Sequence, residues 1–147
     1  LVIAPGSVEE NTAALLGAMK NPYVTIIGHP DNPAYPIDAD AVARAAAEEH
    51  VLIEMNNSSH DPHGSRPGSS RLARGLLAAC RRHGAHILLG SDAHIDADVG
   101  EHGYTHGILR EIGFPAEMVL NDDPARLKAW LMNRHERNGV HGMKYFS

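Results

Sequence analysis

The sequence predicts an α/β fold, a parallel sheet covered by helices. Three observations carry this. Short apolar runs alternate with amphipathic helical segments along the 147 residues, as they do when strands are buried beneath helices. Three of those runs end in residues able to bind metal or phosphate, and parallel strands gather functional groups at their C-terminal ends. Hydrophobic residues make up 43% of the chain, enough for one packed domain and too many for a disordered tail.

The chain opens on Leu1-Val2-Ile3-Ala4, an apolar strand-like tetrapeptide. A free terminus seldom starts inside a buried element, so the chain is expected to be the C-terminal part of something longer. Ser7 and Glu10 form a capping box for a first helix, with Leu15, Leu16 and Met19 as its stripe and Asn21-Pro22 as its stop. Tyr23–Ile27 is a β-branched strand ending at Gly28. Asp38 caps a second helix, running to about His50 with Val42, Ala45 and Ala46 inward, and Val51–Ile53 is the next strand.

A polar loop from Asn56 to Ser70 is far longer than the usual loop of about 4–6 residues, which marks it as functional or disordered. Leu72, Leu76 and Cys80 then repeat at helical spacing, with Gly84 as C-cap, before the strand Ile87–Leu89 closed by Gly90. Between Asp96 and Gly113, Gly100, Gly103 and Gly107 all weaken a helix, and no element is assigned. Met118–Leu120 reads as a short strand. Asp123-Pro124 starts a last helix with Leu127, Trp130 and Leu131 inward. Residues 1–137 are read as one domain and 138–147 as a polar tail.

Composition narrows the function. A net charge of −5 argues against a general nucleic-acid surface. No apolar run approaches the roughly 20 residues of a membrane span. The single Cys80 excludes a disulfide framework and a cysteine zinc site, which fits a reducing, cytoplasmic setting. The eleven histidines outnumber the lysines and the arginines taken separately, and direct attention to imidazole chemistry.

The three strand ends are Ile26-Ile27-Gly28-His29-Pro30, Leu52-Ile53-Glu54-Met55-Asn56-Asn57-Ser58-Ser59 and Leu88-Leu89-Gly90-Ser91-Asp92-Ala93-His94. Asp92 and His94, two apart in extended chain, share a side and can converge on a cation. A local Asx turn with a solvated His94 is the ordinary alternative. Carboxylate and imidazole donors without thiolate suit zinc, manganese or iron(II). His29 is either a third ligand or a satisfied strand-end histidine. Glu54 is either a ligand or an anchor for loop N–H groups. Arg66, ahead of a helix start, is a natural bidentate phosphate partner, or else an exposed loop arginine. His60 and His63, in the long polar loop, either touch substrate or are solvated, the solvated loop being the ordinary reading; His50, His83 and His86 read as helix-end or strand-end residues, and Cys80 as core. There is no nucleophile elbow, P-loop, dinucleotide fingerprint or H-E-x-x-H.

Taken together, these motifs resemble the later strand-end motifs of the PHP-domain metal-dependent phosphatases (polymerase and histidinol phosphatase superfamily), above all the small stand-alone bacterial members. The similarity runs on through Ser65-Arg66 and Leu120-Asn121 to Trp130. It implies a partial distorted barrel of seven β/α units with mostly parallel strands, whose N-terminal strands this chain lacks, and a multinuclear metal site at the strand C-termini. By position, His29, Asp92 and His94 would be metal ligands, for zinc first and manganese or iron as alternatives. Arg66 and Asn57 would help to hold phosphate oxygens. The family's remaining ligands, including an H-x-H pair on the first strand, have no counterpart here. The implied reaction is metal-assisted hydrolysis of small-molecule phosphomonoesters, with a small phosphorylated substrate as partner. The alternatives are a nuclease-like phosphodiesterase acting on nucleotide ends and a non-catalytic interaction scaffold.

Overall fold

Helix α1 (Val8–Met19) starts where its capping box places it. In the computed structural model, which describes residues 6–139, the Glu10 N–H donates to Ser7 Oγ (3.2 Å) and the Ser7 N–H donates to Glu10 Oε2 (2.8 Å). Helix α2 (Ala39–Glu49) starts at Asp38, whose carboxylate accepts from the Asp40 and Ala41 N–H groups, and ends at His50 in the left-handed region. Helix α3 (Ser69–His83) carries the stripe of Leu76 and Cys80 inward and closes at Gly84, where φ is +76° and a side chain would be strained. Between these helices run β1 (Ile26–Ile27), β2 (Leu52–Asn56) and β3 (Ile87–Gly90), all parallel and adjacent in chain order.

The two faces of this sheet differ, because side chains alternate along each strand. Ile27, Ile53, Met55, Ile87 and Leu89 point to one side and form the core with Val42, Ala43 and Ala46 of α2 and Ala73, Leu76, Leu77 and Cys80 of α3. Burial pushes the Cys80 thiol up to about 12, so this cysteine is core and no nucleophile. The other side presents Ile26, Leu52, Glu54, Leu88 and Asn56. Here Ile26 is 41% exposed and Glu54 and Leu88 are half-buried. Apolar runs that looked buried on both faces therefore form a two-sided sheet, with its polar members on one side.

Two stretches differ from expectation. Residues 118–120 form a single parallel bridge, Ile87 with Val119, preceded by a 3-10 turn at Ala116–Met118. The ladder stops because a side chain takes over: the Leu89 N–H donates to Asn121 Oδ1 (2.9 Å), and Asn121 Nδ2 donates to the Leu89 carbonyl (2.7 Å). The unassigned stretch contains helix α4 (Gly103–Ile112) despite Gly103 and Gly107, because Thr105, Ile108 and Leu109 are buried, and tertiary packing outweighs the propensity cost of about 1 kcal/mol per glycine. Leu1–Ala4 and most of the expected tail lie outside the described residues. Among those residues, no helix is long and apolar enough to cross a membrane.

Helix α5 (Pro124–Arg137) closes the end of the sheet opposite the strand C-termini. Leu127, Trp130 and Leu131 are only half-buried, and the side chain most deeply placed is Arg134, at 1% exposure. Its guanidinium donates to the carbonyls of Val24 (2.8 Å), Met19 (2.9 Å), Asn21 (3.0 Å) and Glu49. Met19 and Glu49 end α1 and α2, so the cation sits where two helix dipoles turn negative.

One turn earlier, Trp130 stacks on His50 with ring centroids 3.5 Å apart and lies 4.4 Å from His86. Burial pushes the His50 imidazole down from 6.5 to about 4, helped by the nearby Arg137, His86 and Arg134, and burial lowers His86 as well. The unfolded chain thus binds protons here that the folded chain refuses. The stabilisation is complete above about pH 6.5 and is lost as pH falls towards 4. Thermal melting should show the midpoint dropping between pH 7 and pH 5, with a shallower drop in His50→Gln. A pH-independent difference between the two proteins would show that these rings do not control acid stability.

Candidate functional site

The site is built where β2 and β3 end. The Asn56 side chain accepts from the N–H (3.0 Å) and the hydroxyl (3.0 Å) of Ser59, which bends the chain straight from β2 into a 3-10 turn at Asn57–His60. The long polar loop is therefore ordered at its start by side chains of its own sequence. Ser58 Oγ lies 3.0 Å from Asn56 Oδ1 and 2.9 Å from Asp92 Oδ2, its proton shared between the two acceptors. Ser59 Oγ accepts from Arg66 Nη1 (2.7 Å), and the same Nη1 lies 3.5 Å from Asp92 Oδ2.

Asp92 follows β3 with φ at +55°, a left-handed conformation that aspartate tolerates better than most side chains. The Ser58 hydroxyl holds its carboxyl below the ordinary carboxylate range, against the opposing effect of burial and with further help from Asn56, Arg66 and His94. His94 is exposed, and its Nδ1 is engaged with the Asp92 carbonyl oxygen (2.7 Å), which leaves Nε2 as the ring nitrogen facing outward from that bond. Asn57, Ser58, Ser91, Asp92 and His94 line a cleft of about 600 Å³, walled on the far side by Gly103 and Tyr104 of α4. A second cleft of about 770 Å³ adjoins it across Asp61 and Tyr104 and is lined by Arg66, Arg71 and Arg74. Arg66 thus reaches Asp92, which lines the first cleft, while itself lining the second.

His29 is placed differently. It stands just past β1 with φ at +32°, and it lines a separate, largely apolar cleft of about 300 Å³ with Leu15, Tyr35 and Ile37. Its backbone N–H donates to Glu54 Oε2 (3.0 Å), so Glu54 is seen as the anchor of a loop N–H. The Glu54 carboxylate occupies the space above two glycines on the flanking strands. A Cβ built on Gly90 would collide with Glu54 Oε1 and lie 3.1 Å from Cδ, and one on Gly28 would lie 3.3 Å from Oε2. Room for an acidic side chain, and not backbone torsion, is what these two glycines provide.

Of the expected site residues, Asp92, His94 and Asn57 share one cleft with Arg66 at its edge, while His29 sits at the neighbouring strand end. Among the described residues, no three histidine, cysteine, aspartate or glutamate side chains are grouped as a ready cation site. The donors of the Asp92–His94 pair do suit a divalent ion: one ionised carboxylate and one imidazole whose free nitrogen is set by a backbone bond. His60 is a correction. It is 3% exposed and not solvated, with Nε2 2.7 Å from Asp31 Oδ2 and Nδ1 2.8 Å from Thr105 Oγ1. Neither Asp31 nor Thr105 was a site candidate from sequence. The only local signal was a histidine directly after the Asn-Asn-Ser-Ser turn.

No protein-family model matches the chain. It is similar to curated bacterial proteins named as probable phosphatases. Over 132 residues, 90% of this chain, it is 45% identical to one from Clostridium novyi, covering 53% of that protein. The corresponding protein of Caldanaerobacter subterraneus is 44% identical over 132 residues, 51% of its length. That of Citrobacter koseri is 45% identical over 133 residues, 54% of its length. The chain spans about half the length of the curated relatives it matches, and across that half it resembles proteins named as phosphatases.

Proposed function

We propose that this chain is part of a metal-dependent phosphatase of the PHP type, hydrolysing small-molecule phosphomonoesters at the C-terminal ends of its parallel strands. The observation that carries the reading is the union, beside one cleft, of an ionised Asp92, the free edge of His94 and the Arg66 guanidinium. Likeness to proteins named as probable phosphatases supports it. In this reading the sheet belongs to a distorted β/α barrel, and adjacency of the strands in chain order fits that architecture.

Asp92 and His94 would hold a divalent cation, zinc by preference, with His29 as the donor from the end of β1, which β2 separates from β3. A catalytic zinc takes about three protein ligands, so the pair needs that third donor. What a bound divalent ion supplies is positive charge against the phosphoryl oxygens and a more acidic water. The rest falls to the chain. Ser58 keeps Asp92 ionised and aimed. Ser59 holds the Arg66 fork at the cleft, where it can take two phosphate oxygens at once. Asn57 spends Oδ1 on the Thr105 N–H (3.0 Å), which leaves its amide Nδ2 to donate to a phosphate oxygen.

A panel of phosphomonoesters beside short oligonucleotides, run on the full-length protein with EDTA and with zinc or manganese added back, tests this. Phosphate release from the monoesters, lost with EDTA and restored by one of the metals, is the expected result. Metal-independent turnover, or release from oligonucleotides alone, would overturn it.

A further inference from the structure

Three walls of the candidate site meet at one buried side chain. His60 ends the 3-10 turn that carries Asn57, Ser58 and Ser59. Its imidazole joins Asp31, in the loop after β1, to Thr105, in the first turn of α4, and the His60 and Asp31 side chains are both fully buried. Thr105 is buried too, and its N–H donates back to Asn57 Oδ1. The His60 carbonyl accepts from Ser70 Oγ (3.2 Å) in the first turn of α3. Both imidazole nitrogens are paired when Nε2–H donates to Asp31 Oδ2 and the Thr105 hydroxyl donates to Nδ1, while Asp31 Oδ1 is buried without a hydrogen-bond partner.

We propose that His60 is a positioning residue, pinned between Asp31 and Thr105, that sets the Asn57–Ser59 turn and through it the Arg66 guanidinium and the Asp92 carboxylate. The inference rests on the phosphatase reading for what Arg66 and Asp92 do, and on geometry alone for how they are held. Two buried ties join the turn to α4, and both end on Thr105: its hydroxyl meets the His60 imidazole and its N–H donates to the Asn57 side chain, while Ser58 and Ser59 face the cleft groups. A network serving the fold alone would need no link to this turn. Here each residue of the turn touches a group of the site or a wall of its cleft. Such positioning is expected to act on substrate binding, because Ser59 of this turn holds Arg66 (2.7 Å), the group proposed to take the phosphate oxygens.

The test uses Thr105→Val, which keeps the volume and removes only the hydroxyl, with Thr105→Ser to restore it and His60→Asn as a second break that leaves Asp31 a polar partner. In the full-length protein, with the phosphomonoester that the wild type turns over best, Thr105→Val and His60→Asn should raise KM about tenfold with kcat within about threefold of wild type, and Thr105→Ser should return KM close to the wild-type value. A lowered melting temperature with unchanged KM in both broken variants would mean a structural role only, and would overturn the proposal. Crystal structures of the wild type and Thr105→Val give a readout that needs no activity. Ser59–Arg66 and Ser58–Asp92 contacts opened beyond hydrogen-bonding distance support positioning, and contacts retained overturn it. A wild type inactive on every monoester defeats the phosphatase reading, and the crystal structures then decide the positioning claim by themselves.

Discussion

Asp92→Asn is expected to lower kcat/KM for a phosphomonoester by on the order of 10³-fold while leaving the protein folded. The charge is what the site loses. Asparagine tolerates the left-handed φ of +55° as aspartate does, and its amide oxygen still accepts from Ser58, so the turn keeps its shape. What goes is the carboxylate that faces Arg66 at 3.5 Å and would bind the cation. The side chain is one-third exposed, at the rim and not in the core, so the melting temperature should stay within a few degrees of wild type. Steady-state kinetics and a melting curve on the same preparation check both halves. An active Asp92→Asn enzyme would remove Asp92 from the metal site.

The largest effect on stability is expected at Arg134. Truncation to alanine strips four carbonyls of a charged donor at once, although the Asn21 carbonyl keeps the Val24 N–H (3.0 Å), and the site is too deep for water to replace the guanidinium freely. Hydrogen bonds to a charged group contribute about 1.5–3 kcal/mol each, and breaking a buried ionic arrangement typically costs about 3–5 kcal/mol in total because such terms are not additive. A loss of about 3–5 kcal/mol is a large part of the roughly 5–15 kcal/mol that holds a domain together. Arg134→Lys should fall between, since an ammonium has three donors and no planar fork to span four segments. Urea midpoints of the three proteins read this directly. A loss below about 1 kcal/mol for alanine would show that the clasp is replaceable.

Local chemistry was legible in the sequence, and long-range chemistry was not. The starts of α1, α2 and α5 followed from Ser7, Asp38 and Asp123 because a cap is satisfied within three residues. The strand ends were legible as places where chemistry collects, and Asp92, His94, Asn57 and Arg66 do come together beside one cleft. His60 was misread because its partners are 29 and 45 residues away, beyond any periodic signal. Helix α4 was missed because its glycines speak locally, while its burial is decided by contacts with α3 and the Asn57–His60 turn. The Met118–Leu120 strand failed for a subtler reason: an asparagine amide can mimic the peptide group that should have continued the ladder. Arg134 lay unremarked on a polar helix face, since nothing local distinguishes a buried arginine from a solvated one.

The crowding of Glu54 against Gly28 and Gly90 couples the size of residue 90 to the place of the residue 54 carboxylate. A methyl group at 90 would displace the carboxylate from its present place, and the carboxylate is what holds the His29 N–H, whereas one at 28 would ask it to give by only a few tenths of an ångström. A library that places alanine at 90 should therefore be recovered with the Glu54 carboxylate turned aside or with a shorter residue at 54, and in either case with the His29 N–H in need of another acceptor.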